Sequence, residues 1–202
     1  MGDVIGEFLP YAVGVAVSPI PIAAVLLMLV TKKARTNGPL FALGWLAGLT
    51  AAGVIVLLIP GLEPSQGEPS TAAGVVKGIL GVLLLGVGVK AWTNRPVGGD
   101  VADPPGWMHK IDGFNGPKSL GMGFLLSALN PKNLLLTVGG AATISAAALG
   151  TSKQYVALVV FVVVASLTIL VPVFLYLILG EKAEQVMTNT KDWLIQNNQT
   201  VM

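Results

Sequence analysis

The sequence has no cysteine and one histidine, His109, among its 202 residues. The first absence excludes disulfides, thiolate metal sites and a dithiol redox relay. The second leaves no set of imidazoles to converge on a metal ion, so no metal site is expected. Charge is scarce as well: Asp, Glu, Lys and Arg make up 11% of the chain, against roughly 25% in soluble domains. There is no Ser/His/Asp constellation and no glycine-rich phosphate loop. An enzyme is therefore not expected, no cofactor is implied, and a net charge of +2 gives no reason to expect nucleic acid. The chain opens with Asp3 and Glu7 rather than the basic residues of a cleaved signal peptide, which predicts that the first apolar run is retained.

What the sequence does contain is hydrocarbon. Hydrophobic residues make up 53% of it, and several of its 25 glycines lie inside the apolar runs, as is common in membrane helices. A bilayer core of about 30 Å needs about 20 apolar residues per helix. Five runs approach that length: Val4 to Thr31, Leu40 to Ile59, Ala72 to Trp92, Ser119 to Ala148 and Tyr155 to Leu179. Asn37-Gly38-Pro39 predicts a turn before the second, and Gly150 to Lys153 a turn before the fifth. Pro172 lies inside the fifth. Residues 93 to 118 read as a loop, either with Trp107, Met108 and Phe114 at the lipid headgroups or disordered. Gly44-x-x-x-Gly48 and Gly74-x-x-x-Gly78 read as helix-packing faces.

Basic residues in short loops mark the cytoplasmic side. Lys32, Lys33 and Arg35 follow the first run, while the loop after the second holds Glu63 and Glu68. The long third loop again carries basic residues, Arg95, Lys110 and Lys118. This alternation predicts an inner (plasma) membrane protein with its N-terminus outside and its basic loops in the cytoplasm.

Two runs are interrupted, one by Ser18-Pro19-Ile20-Pro21 and the other by Asn130-Pro131-Lys132-Asn133. Proline inside a helix removes a backbone hydrogen bond at a cost of about 3 kcal/mol. Non-helical backbone at membrane depth is tolerated only where it is buried in protein or lines a cavity. Matched interruptions in two halves of a chain point to a transporter's binding site. Lys132 strengthens this reading, because a lysine at bilayer depth usually faces a cavity or a partner. An ammonium beside the free N–H groups of a restarting helix suits a carboxylate, sulfate or phosphate. The expected substrate-binding residues are Ser18, Pro19, Pro21, Asn130, Pro131, Lys132 and Asn133. The plainer alternative, two simple kinks with Lys132 stretching to the interface, leaves the pairing of the motifs to coincidence.

The pattern predicts an all-α polytopic membrane protein built as an inverted repeat of three helices each, with the first helix of each half broken. Residues 1–92 form the first repeat, 93–118 a cytoplasmic loop and 119–202 the second repeat. The symmetry asks for a sixth span after Met202; the plainer alternative is a polar C-terminal tail.

The two broken motifs, in this order and spacing, resemble those of the LysE superfamily of exporters. Gly116-Pro117-Lys118 followed by Leu129-Asn130-Pro131-Lys132-Asn133-Leu134 is similar more narrowly to its GAP family, the peptidoglycolipid or sulfolipid addressing proteins. The resemblance implies export or flipping of an anionic (glyco)lipid or envelope-lipid precursor. Its partner would be a membrane lipid or small anionic substrate, with a homo-oligomer or a lipid-export complex left open. The alternatives are an exporter of a small amino-acid-like solute and a non-transporting scaffold of a lipid-export complex.

Overall fold

The computed structural model describes residues 2–59, 111, 113–147 and 149–180, with isolated positions 78, 82 and 86 between them. The described residues are all helical, with no strand. The first run forms α1 (Gly2–Ala16) and α2 (Pro19–Leu29), bent by 52° at the break between them. The second forms α3 (Ala34–Leu57). The fourth forms α4 (Gly116–Ala128) and α5 (Pro131–Ala146), and the fifth forms α6 (Thr151–Leu179). Most of the third run, residues 93–110 and 112 of the loop with His109 among them, and the tail beyond Gly180 lie outside the described residues.

Helices α3 and α6 are each long and apolar enough to cross a membrane, and the bent pair α1–α2 qualifies together as a third candidate. The solvent that α6 is built for shows in its two faces. Phe161, Ala165 and Ile169 are fully buried, yet Val159, Val163 and Ile178 are 61%, 47% and 78% exposed. A helix apolar on its outer face as well as its inner one belongs in lipid. This is a membrane protein.

Three expected boundaries shift. Asn37-Gly38-Pro39 is not a turn but part of the first two turns of α3. Asn37 is buried and donates from Nδ2 to the Phe114 carbonyl at 3.2 Å, while Gly38 makes room for the Leu29 side chain. These long-range contacts offset the one helical hydrogen bond that Pro39 removes. Likewise Gly116-Pro117-Lys118 is the first turn of α4 rather than loop. Pro117 is harmless there, and the Asn115 side chain caps the helix by accepting the Lys118 N–H. The fifth helix starts four residues early, at Thr151. Phe114 packs against the core, in which Ile111 is buried.

Direction follows from the contacts. Helices α3 and α4 run parallel at very close range, because Gly44 faces Leu120 and Phe124, Gly48 faces Phe124 and Ser127, and Gly123 faces Phe41 and Trp45. The Gly44/Gly48 pair therefore is a packing face, whereas Gly78 meets nothing within 4 Å and Gly74 lies outside the described residues. Helices α1 and α6 also run parallel, joined by an edge-to-face Phe8–Phe161 pair at 5.9 Å and by Thr168 on Ala16. Helices α3 and α6 are antiparallel: Gly38 lies near Val173, Trp45 bonds Ser166 and Gly53 faces Leu158. Helix α5 runs back along α1, with Leu136 against Gly14 and Gly139 against Tyr11.

Candidate functional site at the paired helix breaks

Proline decides which carbonyls are left over. A helical N–H at position i serves the carbonyl of i−4. Pro19 and Pro21 therefore strip Val15 and Val17 of their helical donors, and Pro131 strips Ser127. Ser18 and Asn130 take the N-cap positions of α2 and α5 in extended conformations, with Pro immediately after each. The two caps then diverge. Asn130 serves its own helix, its Oδ1 accepting the Lys132 N–H at 3.1 Å. The Ser18 side chain makes no bond to α2. Its hydroxyl donates instead to Asn133 Oδ1 at 2.6 Å, between two buried side chains 115 residues apart.

Two carbonyls at the first break, those of Ala16 and Val17, are met by donors from elsewhere in the fold. Lys132 Nζ donates to the Val17 carbonyl at 3.2 Å, which is the acceptor that Pro21 leaves over. Thr168 on α6 donates to the Ala16 carbonyl at 2.6 Å. On the other side, Asn133 Nδ2 donates to the Leu126 carbonyl at 2.9 Å, an acceptor freed by the break before α5. The two interruptions are thus bonded to each other: the start of α5 lies against the end of α1. A cation at the N-terminus of its own helix is disfavoured, and here the negative C-terminal end of α1 offsets that.

The structure thus brings Ser18, Lys132 and Asn133 together. Pro19, Pro21 and Pro131 act through the hydrogen bonds they withhold, and Asn130 stays with its own helix. The expected supply of free N–H groups is smaller than the motifs alone suggest. In the first turn of α5, Pro131 has none, Lys132 N–H goes to Asn130 Oδ1 and Leu134 N–H to the Asn130 carbonyl, which leaves Asn133. In α2, Pro19 and Pro21 have none and Ile22 bonds the Ser18 carbonyl, which leaves Ile20. An anion here would depend chiefly on the Lys132 ammonium, which has three N–H bonds and spends one on Val17. The described carboxylates do not compete for it. Asp3 and Glu7 are exposed on α1, and Glu7 precedes Val17 by ten residues, about 15 Å of helix.

Sequence reasoning missed Val17 and Leu126, which contribute backbone only, and Thr168 and Ser166. The one sign of Thr168 was Pro172, four residues later in an otherwise unbroken run. Near the middle of α3 and α6, Trp45 Nε1 donates to Ser166 Oγ at 3.2 Å, both residues buried. Beyond that bond lies a groove of about 330 Å³ between the two helices, lined by Leu46, Thr50, Val54, Tyr155, Leu158 and Val159 among others. It is apolar apart from Thr50 and the Tyr155 hydroxyl, and it opens on the exposed side of α6.

Comparison with known proteins gives one family. The family model described as Sap, sulfolipid-1-addressing protein, matches residues 8–202. Neither the curated proteins nor the solved structures contain a match to this chain.

Proposed function

Since the chain belongs to the sulfolipid-1-addressing protein family, we propose that it exports or flips an anionic (glyco)lipid or envelope-lipid precursor, with the joined helix breaks as its site. The observation that carries this reading is the mutual bonding of the breaks, Ser18 to Asn133 and Lys132 to Val17, 115 residues apart in each case. In this reading the headgroup's acidic oxygens compete with the Val17 carbonyl for the Lys132 ammonium. Releasing that carbonyl loosens the join between α1 and α5. Binding and gating are then one event.

The wider architecture belongs to the same proposal. The first described span of each half, α1–α2 and α4–α5, is broken, and each half continues into an unbroken helix, α3 and α6. Helix α1 runs parallel to α6, α6 antiparallel to α3, and α3 parallel to α4, so α1 and α4 run in opposite senses. That supports an inverted repeat of the kind found in secondary transporters and, with it, kinship to the LysE superfamily and its GAP branch. The basic Lys32-Lys33-Arg35 corner supports a cytoplasmic position for the α2–α3 connection in the plasma membrane.

A lipid cargo is favoured over an amino-acid-like solute by the α3–α6 groove, which is apolar and open sideways rather than polar and closed. A scaffold without transport is separated by mutation. Cells whose only copy carries Lys132→Met or Asn133→Leu should lose the anionic glycolipid extractable from their surface while retaining the protein at normal level in the membrane. Undiminished surface lipid in both strains rules out the transport reading and favours the scaffold.

A further inference from the structure

Two features of α6 have no place in the site as described so far. Thr168 sends its hydroxyl off its own helix, and Pro172 sits one turn later. A helical threonine commonly satisfies its hydroxyl on a carbonyl of the preceding turn, and Thr143 does so here, donating to Gly139 at 3.0 Å within α5. Thr168 instead donates to the Ala16 carbonyl at 2.6 Å, 152 residues away, at the last residue of α1. Pro172 lacks the N–H that would serve the Thr168 carbonyl, so α6 misses a backbone bond at the very turn whose side chain grips α1. Two residues before Thr168, Ser166 is fixed to Trp45 of α3. The grip on α1 therefore lies between a point of α6 anchored to α3 and the turn that proline weakens. Prolines are among the identifiable causes of bends in helices.

We infer that Thr168 is a positioning residue for the broken helix, holding the end of α1 so that the Val17 carbonyl meets Lys132, and that bending of α6 at Pro172 is what moves that end. This rests on reading the breaks as the transport site. The acceptor belongs to the backbone, so the link cannot be lost by changing the Ala16 side chain; only the hydroxyl at position 168 makes it. Taking up the Ala16 carbonyl also leaves Val17, one residue on, as the acceptor presented to Lys132.

The test uses the full chain in lipid nanodiscs, followed by hydrogen–deuterium exchange over residues 16–22. Thr168→Val keeps the shape and removes the hydroxyl, and it is expected to speed exchange there severalfold. Thr168→Ser restores the hydroxyl and should return exchange to the wild-type rate. A role in packing alone predicts the opposite order, since valine preserves the bulk that serine loses. Pro172→Ala restores the missing bond to the Thr168 carbonyl and should slow exchange in both α6 and the break, which keeps the idea testable should Thr168→Val fold poorly. Exchange in Thr168→Val equal to wild type, serine no better than valine, or Pro172→Ala without effect on residues 16–22 overturns the inference. Surface-lipid delivery that ignores Lys132→Met and Asn133→Leu overturns the transport reading instead, and the exchange pattern then still judges Thr168 by itself.

Discussion

A buried polar side chain can be judged by what its removal strands. Asn133 both accepts from Ser18 and donates to the Leu126 carbonyl. Asn133→Leu strands two buried groups, each costing about 1–3 kcal/mol. Ser18→Ala strands only Asn133 Oδ1, at about 1–3 kcal/mol, and leaves Asn133 its bond to Leu126. Thermal unfolding in detergent should therefore rank Asn133→Leu well below Ser18→Ala, and a Ser18→Ala background should shrink the Asn133 effect, because contacting residues are not additive. Equal, additive losses refute the pairing. Lys132→Met retains the stem and loses the ammonium, so it should change stability little and lipid delivery strongly; a large fall in stability with normal delivery would make Lys132 a strut for Val17 and nothing more. At this scale the sequence was informative where chemistry sits in a side chain. Ser18, Lys132 and Asn133 were readable from their motifs, but their partners Val17, Leu126 and Ala16 take part through carbonyls, which every residue has, and no residue type marks them.

Helices depend on what their smooth faces allow. A Cβ at Gly44 or Gly123 would meet backbone of the partner helix, which cannot rotate away as a side chain can. Gly44→Ala and Gly123→Ala should each lower stability by about 1–3 kcal/mol, the range for overpacking. Gly121, two residues from Gly123 on the same helix, meets nothing within 4 Å. Gly121→Ala should be neutral or stabilise by up to about 1 kcal/mol through helix propensity. Chemical unfolding of the three variants side by side checks the contrast, and a destabilised Gly121→Ala would refute the close α3–α4 contact as its cause. The sequence located the first, second, fourth and fifth apolar runs and both breaks, because period and length carry that signal. It misplaced the start of α3 because Asn37-Gly38-Pro39 has the local chemistry of a turn. Only distant residues, Phe114 and Leu29, make a helix the better outcome there. Local propensity lost to tertiary contact, as it often does.

Across the whole molecule, the absence of cysteine makes orientation directly measurable. A single cysteine at Thr36 should react with a membrane-impermeant maleimide only from the cytoplasmic side, and one at Ser152 only from outside. Labelling of both from the same side would refute the inverted arrangement. The joined breaks also bear on how the chain is made. Ribosomes add about 5–20 residues per second, and the partner of Ser18 lies 115 residues further along the chain. For on the order of ten seconds, then, the newly inserted α1–α2 segment would hold unpaired carbonyls at Ala16 and Val17 in a medium with no water to satisfy them. Nascent chains halted before α5 should accordingly stay beside the insertion machinery or be degraded, whereas chains halted after α6 should be released into the bilayer. The first half of this protein is born waiting for its second, and translation arrest at those two points would measure the wait.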